Sequence, residues 1–191
     1  MTVKLALEAS VVARADVQAL AARSGWQHEQ TFGADAQNGF EIFWSVPGHT
    51  AEVHYVEDAI VGQAYLALTG AQADAMAASI RAALPCVGLA EVLQRLHRTN
   101  SEEGQIVLAR ALAVLGPDEY DNDVMHTLAD LLQSTHARVR VQALLAIASL
   151  GWPILRPLAT AVADSDEDAE VRQRASDVLR AFDAAQRGGA Y

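Results

Sequence analysis

The chain has 191 residues, enough for one large domain or two small ones, and either size can bury an apolar core. Its formal net charge of −10 argues against a nucleic-acid ligand, because phosphate binding relies on clustered Lys and Arg, and it favours a basic partner. The single cysteine, Cys86, excludes an internal disulfide and a multi-thiolate metal site, and it fits a reducing, cytoplasmic compartment.

The first part of the chain mixes strand and helix patterns. Runs that alternate with period two predict strands at residues 2–8, 40–46, 51–56 and 62–69, and runs with helical spacing predict helices at 16–23 and 71–84. Turn-forming residues predict a loop at 33–39 and turns at Pro47-Gly48 and Glu57-Asp58. We therefore predict that residues 1–85 form an α+β unit, a small antiparallel sheet carrying two helices.

From residue 88 onward the pattern changes to helix after helix, and this part of the chain can be aligned with itself. The apolar positions around Leu108 recur around Ala143 and again around Ala175, at offsets of 35 and then 32 residues. Each of these three segments is preceded by another amphipathic segment, at residues 90–98, 123–132 and 153–163. Helix pairs that recur in this way predict an α-solenoid of about three pairs over residues 88–187.

Two glycines mark the ends of the predicted second helices. Gly116 and Gly151 follow the first two of them at matching positions. Glycine is the residue that most readily adopts the left-handed conformation at a helix C-terminus. The pattern therefore predicts a left-handed cap at both positions.

One stretch resembles a known family of repeats. The run from Ala137 to Gly151, ARVRVQALLAIASLG, resembles the second helix of a HEAT-like repeat, of the class also found in phycobilisome lyases. Val171-Arg172 is similar to the start of a second copy, whereas Gln105-Ile106 replaces Val-Arg in the first. The resemblance covers the C-terminal half and implies an α-solenoid. It implies no single function, because such repeats serve scaffolds, inhibitors, chaperones and a few enzymes.

Motifs for catalysis or for cofactors and metals are not found in the sequence. The six histidines form no i, i+4 pair that would indicate zinc, and there is no Gly-rich phosphate loop or G-x-S-x-G elbow. Asp164, Asp166 and Asp168 alternate like the opening of a calcium loop, but Ala169 and Ala175 stand where that loop needs Gly and a bidentate Glu. We predict a solvated turn there, no enzyme, no cofactor and no metal. No apolar run approaches the roughly 20 residues of a membrane span, so no membrane partner is expected.

The helix positions opposite the packed row form a predicted ridge. A helix turns 100° per residue, so positions two before and two after each central core residue face away from the core. This geometry predicts seven partner-binding residues: Ile106, Arg110, Arg138, Val141, Leu145, Gln173 and Asp177. Apolar residues flanked by charge are typical of protein-binding sites. Alternatively, Ile106, Val141 and Leu145 are covered by the N-terminal unit or by a second copy of the chain.

Three functions of different classes remain open. The first is an intracellular protein-binding module, with an immunity protein or inhibitor against a basic partner as its narrower form. The second is a small-molecule or cofactor carrier, implied by the lyase-type resemblance, which would need an apolar pocket near Trp26, Trp44 and Trp152. The third is a DNA-repair enzyme, which the acidic charge and the few aromatic residues of the repeat half disfavour.

Overall fold

The computed structural model describes residues 2–8, 10–33, 39–48 and 50–188, and the chain divides into two compact units, Met1–Leu89 and Ala90–Tyr191. The first unit is α+β and the second is all-helical, which confirms the predicted fold class. Cys86 and Val87, which the sequence prediction placed between its two domains, form a short strand of the first unit.

Within the described residues, the first unit contains one six-stranded antiparallel sheet in the order β2-β3-β4-β5-β1-β6. The strands are β1 (Val3–Leu7), β2 (Gln27–Phe32), β3 (Phe40–Ser45), β4 (Ala51–Asp58), β5 (Gln63–Gly70) and β6 (Cys86–Val87). The helices are α1 (Arg14–Arg23), between β1 and β2, and α2 (Ala73–Ala83), between β5 and β6.

Alternation along the central strands builds the core of this unit. Val53 and Tyr55 on β4 and Leu66 and Leu68 on β5 point to the same face of the sheet and are buried. Helices α1 and α2 pack their apolar residues into the same core cluster. The unit is thus a two-layer arrangement, because a sheet with one apolar face must cover it with helices.

The structure corrects the predicted strands in two places. Strand β2, which the sequence did not reveal, has all six residues exposed, so no alternation marks it, and its pairing with β3 shifts register between His28 and Gln30. The turn predicted at Glu57-Asp58 is wrong: both residues pair with β5, and the turn follows them. Of the predicted loop at 33–39, residues 34–38 lie outside the described residues.

The second unit is a run of helices. They are α3 (Leu89–Leu96), α4 (Glu102–Leu115), α5 (Asn122–Leu132), α6 (Ala137–Leu150), a short 3-10 helix (Pro153–Leu155), α7 (Arg156–Ser165) and α8 (Ala169–Gly188). Helix α5 packs on α6 and α7 packs on α8, while α4, α6 and α8 pack on one another in succession. The second helices of the predicted pairs therefore form one stacked layer.

The two glycines that follow α4 and α6 differ in conformation. Gly151 has φ +64° and is the left-handed cap that the sequence predicted. Gly116 has φ −54° and ψ 144°, so the prediction of a left-handed cap there is wrong. Pro117 follows it, and a residue before proline is pushed into extended backbone. A Cβ at Gly116 would clash with Cδ2 of Leu150, so any larger residue there forces the Leu150 side chain to shift.

We expect Gly116→Ala to lower the free energy of unfolding by about 1–2 kcal/mol, because the added methyl group overpacks the contact with Leu150. Urea denaturation of the full chain measures this loss. In a Leu150→Ala background the same substitution is expected to cost less, because the atom that clashes is gone. An equal loss in both backgrounds would contradict the packing explanation.

Candidate partner-binding face of the helical repeats

Helix α6 separates a packed side from an open side. Val139, Ala143 and Ile147 are fully buried. On the other side, the side chain of Arg138 is 71% exposed, and Val141 and Leu145 are half-buried. The predicted residues on α6 are therefore more exposed than the fully buried row.

A cavity of about 220 Å³ opens between α4, α6 and the start of α8. It brings together four of the seven predicted residues: Ile106, Arg110, Arg138 and Val141. Ile106 is only 5% exposed, so it contributes to the floor of the cavity and offers little free surface. The partner-binding role of these residues stays a prediction, since the structure contains no partner.

The other predicted residues lie outside the lining of this cavity. Leu145 sits one turn further along α6 and is half-buried. On α8, Gln173 donates its side-chain amide to Asp177 at 2.9 Å, and Arg180 also contacts Asp177. Gln173 and Asp177 thus form a local polar group on α8.

The polar rim of the cavity carries both signs of charge. Arg110 donates from Nε to Oε1 of Gln142 at 3.4 Å, and Arg138 lies 3.5 Å from the carboxylate of Glu102. Asp168 and Glu170, at the start of α8, also line the cavity. An apolar floor with a mixed rim matches the usual anatomy of a protein interface.

Sequence reasoning missed several lining residues. Ala137, Gln142, Asp168 and Val171 line the cavity but do not belong to the seven predicted residues. Gln142 follows Val141 directly, and the repeat offsets do not mark it as a ridge position. At the start of α8 the predicted ridge includes Glu170, which lines the cavity, but not its neighbours Asp168 and Val171.

The acidic turn before α8 is held by a buried ion pair. Arg140 donates from Nε and Nη2 to the two carboxylate oxygens of Asp166 at 2.7 and 2.8 Å, and from Nη1 to the carbonyl of Ser134. The side chains of Arg140 and Asp166 are 6% and 7% exposed. Burial is the largest single influence on the pKa of Asp166 and raises it, but the hydrogen bonds from Arg140 and from the backbone N–H of Asp168, together with the positive charges of Arg140 and Arg172, lower that pKa overall.

The prediction of a solvated turn at Asp164, Asp166 and Asp168 is therefore wrong for Asp166. Asp168 instead caps α8, since its Oδ1 accepts from the backbone N–H groups of Glu170 and Val171. The described residues hold no group of three or more acidic, His or Cys side chains suited to a metal ion. In the same part of the chain, none of the helices is long and apolar enough to cross a bilayer.

The tryptophans named for the carrier hypothesis serve packing. Trp44 is buried in the core of the first unit, with its ring 6.1 Å from that of Trp26. Trp152 is buried in the second unit, with its ring 5.7 Å from that of Tyr120. Tilted ring pairs at this separation are ordinary aromatic packing.

The stacked second helices and their cavity define an α-solenoid, the class of helical-repeat proteins. Within that class, the family model for HEAT repeats matches residues 89–180, from α3 into α8, so this part of the chain is a HEAT-like repeat region. Neither curated proteins nor solved structures gave a match. HEAT repeats are commonly protein-interaction modules.

Proposed function

We propose that the protein is a non-catalytic interaction module that binds a protein partner on the face formed by α4, α6 and the start of α8. The observation that supports this most directly is the cavity that gathers Ile106, Arg110, Arg138 and Val141. Its apolar floor would hold an anchor side chain of the partner, and its charged rim would set orientation.

The chemistry of the partner is a finer part of the proposal. The net charge of −10 favours a basic protein through long-range attraction, and an immunity or inhibitor protein is the narrower form of this idea. The rim itself holds both arginines and carboxylates. The preference for a basic partner thus rests on the net charge of the whole molecule and not on the charges of the rim. The lyase-type carrier hypothesis gains no support from the tryptophans, whose rings are engaged in packing.

Affinity capture with charge-reversed variants tests the proposal. The full chain is immobilised and exposed to a lysate of the source cell, in parallel with the double variant Arg110→Glu, Arg138→Glu. We expect at least one protein to be retained by the wild type and lost from this variant, because the arginines line the cavity.

The control variant carries Arg98→Glu and Arg187→Glu, the same change of charge at two exposed positions outside the cavity lining. It should retain the partner. Retention of no protein, or equal retention by all three forms, would remove the basis of the proposal. A retained partner with an acidic isoelectric point would keep the interaction module but overturn the basic-partner form.

A further inference from the structure

A second cavity, of about 420 Å³, lies within the N-terminal unit. It is lined by the start of α1 and by one edge of the sheet where β3 begins, β4 ends and β5 begins. Its volume falls in the range of about 300–1,000 Å³ that small-molecule sites occupy. The sequence pattern does not indicate this cavity, because it predicts a turn at Glu57 and Asp58.

The one cationic side chain in the described lining, Arg14, is already balanced. Its guanidinium lies over Phe40, with Cζ 3.5 Å from the ring centroid. Its Nε and Nη2 donate to the two carboxylate oxygens of Glu57 at 2.8 and 2.7 Å, and the hydroxyl of Tyr55 donates to the same carboxylate at 2.6 Å. The hydrogen bonds from Arg14 lower the pKa of Glu57 although its burial opposes this, so the ion pair is fully charged at neutral pH. A ligand anion would have to compete with this carboxylate.

Gln63 presents a hydrogen-bond acceptor to the cavity. The residue lines the cavity and is only 5% exposed. Its Nε2 donates to the backbone carbonyls of Leu7 and Ala64, both at 2.8 Å, which fixes the orientation of the amide. Among the described residues, no donor reaches its Oε1. This oxygen is not among the fully buried atoms that lack a partner, so it remains open to accept an N–H from a ligand in the cavity.

Asp58 adds a negative charge to the same cavity. Its Oδ1 accepts from the backbone N–H groups of Ile60 and Val61 at 2.9 and 2.8 Å, which holds the carboxylate in place. No donor from the described part of the chain reaches its Oδ2. Since Glu57 balances Arg14, Asp58 gives the described lining residues one net negative charge.

We propose that this cavity binds a small organic cation bearing N–H donors, of the amidinium or primary ammonium type. Oε1 of Gln63 accepts one N–H, and Oδ2 of Asp58 accepts another and supplies the opposite charge. Apolar side chains at the start of α1 and on β5 contact the carbon skeleton of the ligand. This site is independent of the repeat face and of the partner proposed for it.

Benzamidinium chloride is a suitable probe, because it joins a planar apolar ring to a cation with N–H donors. We expect it to bind the full chain with a Kd on the order of 1 mM by calorimetry. Its binding should shift the NMR signals of the side-chain amide of Gln63. Benzamide, a neutral analogue, and benzoate, an anion, should bind at least about fivefold more weakly.

The variant Asp58→Asn keeps the oxygen that accepts from Ile60 and Val61 but removes the charge, so we expect benzamidinium to bind at least about fivefold more weakly. The matched control is Glu52→Gln, at an exposed carboxylate on the same strand, and it should leave the Kd within about twofold. The proposal is overturned by the absence of binding, by equal binding of benzamide, by equal effects of the two variants, or by NMR shifts that spare Gln63.

Discussion

Removal of the buried Arg140 side chain is expected to destabilise the protein more than removal of any exposed charged side chain. Arg140→Ala leaves the carboxylate of Asp166 buried, with its strongest partner gone, and takes a donor from the carbonyl of Ser134. Breaking a buried ion pair from one side costs about 3–5 kcal/mol, because an uncompensated charge stays in the interior. Urea denaturation of the full chain, followed by far-ultraviolet circular dichroism, measures the loss.

The same helix supplies the control. Arg138 lies two residues away, its side chain is 71% exposed, and its contact with Glu102 is long. We expect Arg138→Ala to change the free energy of unfolding by only about 0.5 kcal/mol. In a double-mutant cycle with Arg140→Met and Asp166→Asn, the double variant should lose less free energy of unfolding than the two single variants lose together. Similar losses for the alanine variants at Arg138 and Arg140 would show that the ion pair contributes no special stability.

A second large effect is expected in binding. The double variant Val141→Asp, Leu145→Asp places two carboxylates on the proposed face, and partner affinity should fall by several kcal/mol, about 100-fold or more, if these side chains are anchors. Titration calorimetry with the captured partner measures the change. Both side chains are half-buried, so we also expect a loss of folding stability, about 1–3 kcal/mol. Two fully exposed sites would instead lose about 1 kcal/mol or less.

The matched control places Asp at Ile154 and Ala161, two exposed apolar positions of the second unit that do not line the cavity. It changes the net charge equally and should bind the partner like the wild type. If the Val141→Asp, Leu145→Asp variant unfolds and the control variant does not, these two side chains belong to the internal packing. The predicted surface would then not exist.

The helices of the C-terminal half could be predicted from the sequence because their apolar residues recur periodically. Val139, Ala143 and Ile147 recur at helical spacing, and the same pattern returns at fixed offsets in the neighbouring helices, so the packed layer followed directly. Strand β2 gave no such signal, since a strand with both faces exposed needs no alternation. This strand exists because its backbone pairs with β3, and that pairing cannot be inferred from the residues of β2.

The polar features were the part that the sequence could not supply. Arg140 and Asp166 are 26 residues apart, and only the packing of α6 beside α8 brings them together. The cavity of the first unit likewise depends on strand register, because Glu57 and Asp58 had to be strand residues for their side chains to meet Arg14 and Gln63. Pairings of this kind leave no local pattern, whereas apolar periodicity does.

Because strand β2 is exposed, less free energy is needed to open the sheet at that edge than at its centre. Separating β4 from β5 would expose buried side chains such as Val53 and Leu66, so that opening requires loss of the whole core. Detaching β2 from β3 breaks backbone hydrogen bonds but uncovers none of β2's own side chains, since they are already in solvent. Elements without buried contacts open locally at low free energy. The margin of the sheet at β2 can therefore fray and re-form while the centre stays native.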